Sequence, residues 1–205
     1  MRQNKLIRIG ITGGMAAGKT TVAELLEEAG LLVIDADMVS RDVLEVYPEV
    51  FDYIRQTYGE AYFLPDGSLD RRKFGQMIFN DPAALAAYEA VIMPFIVAEI
   101  KERFSFIGEA TEDEFAVLDA PLLFQVRDQD VYDIAITVEL PEELQLSRAM
   151  ARDGLSEEAV INRISRQLSR QEREDLADYV IVNAGTIEEL KQETLKVLEQ
   201  IRSRG

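Results

Sequence analysis

Apolar residues fall into two patterns along the chain. Five runs are short and continuous: Leu6–Thr12, Leu31–Asp35, Phe115–Asp119, Ile134–Val138 and Tyr179–Val182. A strand with one wet face alternates apolar and polar residues, so continuous runs predict strands covered on both faces, as in a parallel sheet. Between the runs the apolar spacing is helical. Val22, Leu25, Leu26 and Ala29 share one face of a helix predicted to start at Lys19. Asp81-Pro82 predicts another start, with Asp as cap and Pro in the first turn; its pattern runs to about Phe106, with a break or kink expected near Pro94. Pro141 opens a further helix, and Thr186-Ile187-Glu188-Glu189 fits a capping box before the last one. The acidic stretch Glu109–Glu114 reads as a solvated loop. Strand and helix in alternation predict an α/β sandwich with right-handed crossovers around a five-stranded parallel sheet. The interval between the second and third strands exceeds one crossover and is mostly helical, which predicts a helical subdomain beside the sheet.

Composition narrows the chemistry. The 205 residues suit one core with a small inserted subdomain. The formal net charge of −16 argues against a nucleic-acid-coating surface, which needs positive charge. There is no Cys and no His, which removes thiolate and imidazole metal sites, cysteine nucleophiles and Ser-His-Asp triads. Carboxylates, Lys, Arg, hydroxyls and backbone amides remain. No export signal is evident, and no stretch comes near the eighteen or so apolar residues that cross a bilayer. A cytoplasmic protein with neither nucleic-acid nor membrane partners is expected.

Gly13-Gly14-Met15-Ala16-Ala17-Gly18-Lys19-Thr20 satisfies G-x-x-x-x-G-K-[ST], placed after an apolar run and opening a helix. Glycines allow the backbone to approach a ligand closely, the loop amides and helix N-terminus point at phosphate oxygens, and a lysine ammonium reaches the β- and γ-phosphates. The Thr20 hydroxyl suits Mg²⁺. Asp35 and Asp37 end the second run, where open α/β sheets bind their ligands. Without His, a carboxylate is the natural group to activate an attacking hydroxyl, and Asp37 is favoured for that work. The same residues also suit a helix N-cap. Asp119 closes the third run, a place suited to Mg²⁺, though also to an Asp opening a loop. Between Gln145 and Arg173 lie six arginines, no lysine and four acids. Arg148 and Arg152 share a helix face and suit forked phosphate contacts, with Asp153–Ser156 as a hinge, so the segment reads as a closing lid. Arg170 and Arg173 read as ordinary salt bridges on an exposed helix.

Taken together these residues resemble the dephospho-coenzyme A kinase family over nearly the whole chain. The resemblance rests on Ile9–Ala23, on Val33–Asp37 with Arg41 and Val43, on Asp66–Arg71, and on Pro121–Phe124. It continues through Gln145, Arg148, Arg152 and Gln167 to Ala177–Gly185. It implies a single P-loop three-layer sandwich, residues 1–205, with an acceptor-binding helical subdomain at about 60–108 and a lid at about 141–175. The implied reaction phosphorylates the ribose 3′-hydroxyl of dephospho-CoA with ATP and Mg²⁺. Lys19, Asp37 and Arg148 would be catalytic. ATP would lie on Gly14, Met15, Ala16, Ala17, Gly18, Lys19, Thr20 and Thr21, with Arg148, Arg152, Asn183 and Gly185. Asp37, Arg41, Arg71 and Leu123 would hold the acceptor, and Thr20 and Asp119 the metal. The family usually has Gly-Ser at Ala16-Ala17, His at Met93 and Glu at Gln125. The last two differences keep open a kinase of the same fold with another nucleotide or metabolite acceptor. An NTP-binding regulatory switch is the reading from another class.

Overall fold

The computed structural model describes residues 6–111, 113–125 and 129–204. Its centre is a sheet of β1 (Ile7–Gly13), β2 (Leu32–Asp35), β3 (Phe115–Asp119), β4 (Ile134–Glu139) and β5 (Tyr179–Val182). The order is β2-β3-β1-β4-β5, and every pairing is parallel. The continuous apolar runs have the expected physical basis. All five residues of β3 are buried, whereas the edge strands β2 and β5 leave Leu32 and Val182 exposed. Parallel strands end on the same side, so Gly13, Asp35, Asp119, Glu139 and Val182 all arrive at one edge of the sheet.

One face of the sheet is covered by α1 (Lys19–Glu28) and α9 (Ile187–Arg202). Val22, Leu25 and Leu26 of α1 and Leu190, Val197, Leu198 and Ile201 of α9 join Ile9, Ile11, Val117, Ile136, Val138 and Ile181 in a single core. Truncating Leu26 or Ile201 to Ala would cost about 2–5 kcal/mol each. Thr186 caps α9 through the expected capping box with Glu189. Leu123, in a short 3₁₀ turn after β3, packs beside β1, where a Cβ on Gly10 would lie 2.7 Å from it. The remaining helices of this unit are α6 (Glu142–Asp153), α7 (Glu157–Ile164) and α8 (Arg170–Leu176), the last lying against β4.

The chain divides into two compact units, one of Met1–Asp35 with Arg103–Gly205 and one of Ala36–Glu102. The second holds α2 (Ala36–Val46), α3 (Pro48–Tyr58), α4 (Arg71–Asn80) and most of α5 (Pro82–Ala110). Tyr58, Tyr62 and Tyr88 meet the ring of Phe74 edge-on, with centroids 5.4, 5.8 and 5.2 Å away. Tyr58 also donates to the Ala84 carbonyl at 3.1 Å, tying α3 to α5. Asp81 Oδ1 caps α5 by accepting from the Ala83 and Ala84 amides.

Two expectations for α5 need correction. The helix continues through Pro94 to Ala110, so the break is not there, since the long turns on either side outweigh the one backbone donor the proline removes; a kink at Pro94 is compatible with the same span. The helix thus takes in the first residues of the expected acidic loop; Glu112 within that loop lies outside the described residues. In addition, α5 is long and apolar enough to cross a membrane, contrary to the sequence estimate, because alanines and β-branched residues accumulate around only a few charges. In the structure 17% of its most apolar stretch is buried; Ile92, Val97 and Ile100 are buried, and the Phe95 and Tyr47 rings meet at a tilt with centroids 5.1 Å apart.

Candidate active site

The turn from β1 into α1 forms the motif loop. Gly18 precedes α1 at φ +95°, a conformation that L side chains rarely adopt. Ala16 sits at φ +59° despite carrying a Cβ, a strained choice where the resembling family has Gly. The first three N–H groups of a helix have no partner within it, so Lys19, Thr20 and Thr21 offer theirs at the loop mouth. Two other expected donors are engaged inside the protein. The Ala17 amide donates to the Gly14 carbonyl at 3.1 Å, and the Met15 amide to Gln167 Oε1 at 3.1 Å. The loop's outward carbonyls are held by side-chain amides. Gln145 Nε2 donates to the Met15 carbonyl at 3.1 Å, and Asn183 Nδ2 to the Ala17 carbonyl at 2.9 Å.

Lys19 Nζ forms an ion pair with Asp119 Oδ1, both side chains being mostly buried. Asp119 is also the register partner of Asp35 across β3 and β2. The motif lysine and two of the three strand-end acids singled out from the sequence therefore share one edge of the sheet. Thr20 is exposed on the first turn of α1. Thr20 and Asp119 supply a hydroxyl and a carboxylate, both hard oxygen donors. Among the described residues no cluster of three or more acidic, His or Cys side chains could cage a metal. That donor set fits a hard cation such as Mg²⁺, which keeps most of its ligands as water and phosphate and needs few from protein.

Behind the loop lies a feature the sequence reading missed. Glu139, at the end of β4, is 1% exposed and accepts two hydrogen bonds from Arg173 of α8, both at 2.7 Å. Thr137 Oγ1 donates to the same carboxylate at 2.6 Å, and Arg173 Nη1 donates to the Leu168 carbonyl. Arg173 is therefore a buried pairing residue and not the exposed salt bridge expected. Arg170 does form such a surface bridge, to Glu174 at 2.6 Å. The signal for Glu139 was present: like Asp35 and Asp119, it is an acid closing an apolar strand.

The lid arginines differ from one another. Arg148, half-buried on α6, donates to the Asn183 carbonyl at 3.4 Å. Arg152 forks onto its neighbour Asp153 at 2.7 and 3.1 Å, and Arg163 approaches the same carboxylate at 3.7 Å. These contacts, Arg152's hydrogen bonds first, hold the Asp153 carboxyl below the usual range. Gly154 ends α6 in the left-handed region and Ser156 caps α7, so the expected hinge is a defined turn. The Asn183–Gly185 turn borders a concavity of about 530 Å³, lined by Val180, Val182, Ala184, Gly185 and Leu190 together with Glu189 and Glu193.

Three of the expected acceptor residues lie in the second unit. Asp37 is exposed in the first turn of α2, not ahead of it, and so is not the N-cap considered from sequence. Arg71 donates to the Arg41 carbonyl at 3.1 Å and to Glu45 at 3.2 Å. The fourth, Leu123, is 1% exposed and spends its surface on β1, while its neighbour Leu122 is the exposed member of that turn.

Comparison with known proteins follows the same lines. The dephospho-CoA kinase family model matches residues 7–189. Over 200 residues the chain is 37% identical to a dephospho-CoA kinase of Clostridium tetani, covering 97% of this chain and 88% of that one. Among solved structures, TT1252 from Thermus thermophilus is 33% identical with a TM-score of 0.78, covering 96% and 98% of the two chains. A dephospho-CoA kinase from Campylobacter jejuni is 27% identical with a TM-score of 0.65, covering 95% and 96%.

Proposed function

The chain belongs to the dephospho-CoA kinase family, and from that premise we propose which of its residues carry the γ-phosphoryl group of ATP to the ribose 3′-hydroxyl of dephospho-CoA. The protein is an ATP-dependent phosphotransferase of coenzyme A biosynthesis with the fold of P-loop kinases. That membership removes the footing of the switch reading and of another acceptor.

The observation that carries the assignment is the loop: a left-handed glycine before α1, helix amides at its mouth, and Lys19 at its base beside Asp119. The amides of Gly18 through Thr21 receive the triphosphate. Lys19 exchanges Asp119 for phosphate oxygens when the nucleotide enters, so its charge stands where the transition state gathers negative charge. Thr20 and Asp119 would hold Mg²⁺, which when bound neutralises phosphate oxygens and fixes their geometry. Arg148 turns from the Asn183 carbonyl to the transferring phosphoryl group, and Arg152 joins it from Asp153. Asn183 and Gly185 line the adenine side. Asp37 accepts the proton of the attacking hydroxyl, and Arg41 and Arg71 bind the acceptor's phosphates. ATP and dephospho-CoA are the partners on this reading, and the location is cytoplasmic.

The test is Asp37→Asn. General-base removal lowers kcat by about 10²–10⁴, while calorimetry finds ATP affinity within about twofold of wild type. A variant with kcat near wild type, or one whose ATP affinity falls as far as its kcat, would overturn the role given to Asp37.

A further inference from the structure

The peptide of Met15 is gripped from two sides by two glutamines with opposite chemical duties. Its N–H can only donate and its carbonyl can only accept, so the amide orientations follow without choice: Gln167 must accept and Gln145 must donate, each at 3.1 Å. The two come from opposite ends of the arginine-rich segment, Gln145 from the first turn of α6 and Gln167 from the turn between α7 and α8. Gln167 is in turn fixed by the buried pair. Arg173 is locked on Glu139 and reaches back to the carbonyl of Leu168, the residue next to Gln167. Gly14 completes the fit, since a Cβ there would lie 2.7 Å from Arg173 Nη2 and 2.8 Å from Gln145 Nε2.

We propose that Gln145, Gln167 and Arg173 are positioning residues for phosphoryl transfer, the two feet of the lid clasping the Met15 peptide so that the nucleotide loop stays cocked for the triphosphate. The clasp sets the direction of the chain just before Ala16, whose positive φ carries the loop round to the Gly18–Thr21 amides. The grip also divides the lid: its roots are pinned, and movement is left to the end of α6 and to α7 beyond them, around Gly154. The proposal rests on the reading of Gly13–Thr20 as the ATP loop.

The test uses the full-length protein and pairs Gln145→Glu with Gln167→Glu. Both variants add the same charge beside the same peptide, but only the carboxylate at 167 can still make its hydrogen bond. The expected result is a loss in kcat/KM for ATP at least tenfold greater for Gln145→Glu, with KM for dephospho-CoA unchanged in both. Equal losses, or the reverse order, would overturn the clasp. Should Gln145→Glu fail to fold, Gln167→Met decides: KM for ATP rises about fivefold while Tm stays within about 2 °C, and a wild-type KM contradicts the proposal. Arg173→Lys keeps the charge but not the fork, and its effect on KM for ATP is not additive with that of Gln167→Met, because both act through one contact; additive effects would count against it. Wild-type calorimetry with ATP separates the two readings. No heat of binding refutes the ATP loop itself, whereas wild-type binding with equal losses in the Glu pair refutes only the clasp.

Discussion

Replacing Arg173 by Met probes the ion pair behind the nucleotide loop. The Arg173 and Glu139 side chains are 8% and 2% exposed, and the guanidinium makes two 2.7 Å hydrogen bonds to the carboxylate. Water has little access to take its place, so Glu139 is left as a buried charge whose remaining side-chain donor among the described residues is the Thr137 hydroxyl. Breaking such a pair from one side costs about 3–5 kcal/mol. The Leu168 carbonyl also loses its donor, which adds about 1 kcal/mol. For a chain of this length roughly 2–4 °C of Tm accompanies each kcal/mol, so the variant should melt about 8 °C or more below wild type. Glu139→Leu should suffer comparably. The double variant Arg173→Met/Glu139→Leu removes both charges and should recover most of the summed loss, since a buried pair is close to neutral against an apolar replacement. Urea denaturation of all four proteins at neutral pH, with slopes compared to confirm a common transition, measures these terms. A single-variant loss below about 1 kcal/mol, or a double variant equal to the sum of the singles, would refute the argument from burial.

Other outcomes follow from particular contacts. Ala16→Gly relieves a Cβ held at φ +59° and should raise Tm by roughly 2–4 °C with little change in KM for ATP; calorimetric melting decides, and a lowered Tm would count against strain at that residue. Thr186→Ala removes the α9 cap and should lower Tm by roughly 2–4 °C near neutral pH. Glu189's carboxyl is held below its ordinary value by the Thr186 amide first and its hydroxyl second. A depressed carboxyl stabilises fully above its unfolded-state value and stops doing so as pH falls through the native one. The gap between the two proteins should therefore narrow below about pH 4 as the Thr186 hydroxyl loses its carboxylate acceptor, without vanishing, because that hydroxyl still accepts from the Glu189 amide; a gap unchanged at about pH 2 would show that the hydroxyl-to-carboxylate bond adds nothing.

How far the sequence reaches can be judged from these residues. Where the information is local, it is legible. The runs at Phe115–Asp119 and Tyr179–Val182 became strands with those bounds, and the caps at Asp81 and Thr186 act as expected. The loop motif was legible because its spacing carries its own geometry. What the sequence hid is the pairing of distant residues. Glu139 and Arg173 stand 34 positions apart and meet only because α8 folds back on β4. Lys19 finds Asp119 100 positions away through the parallel register of β1 and β3. Met15 was expected to offer its amide to ATP, and nothing in the local pattern said that Gln167 would take it. Leu123 looked available because its motif implied contact with acceptor, whereas a glycine at position 10 of β1 makes room to bury it. In each case the deciding partner is remote in sequence and is brought up only by the fold.

The claim on which the rest depends is that the Gly13–Thr20 loop, through Lys19, drives phosphate transfer to dephospho-CoA. Incubating wild type and Lys19→Ala with MgATP and dephospho-CoA, and following CoA by mass spectrometry, tests it directly. The account predicts CoA from wild type and a rate at least about 10²-fold lower from the variant, with circular dichroism and melting showing the same fold. CoA formed at equal rates by both proteins would contradict it.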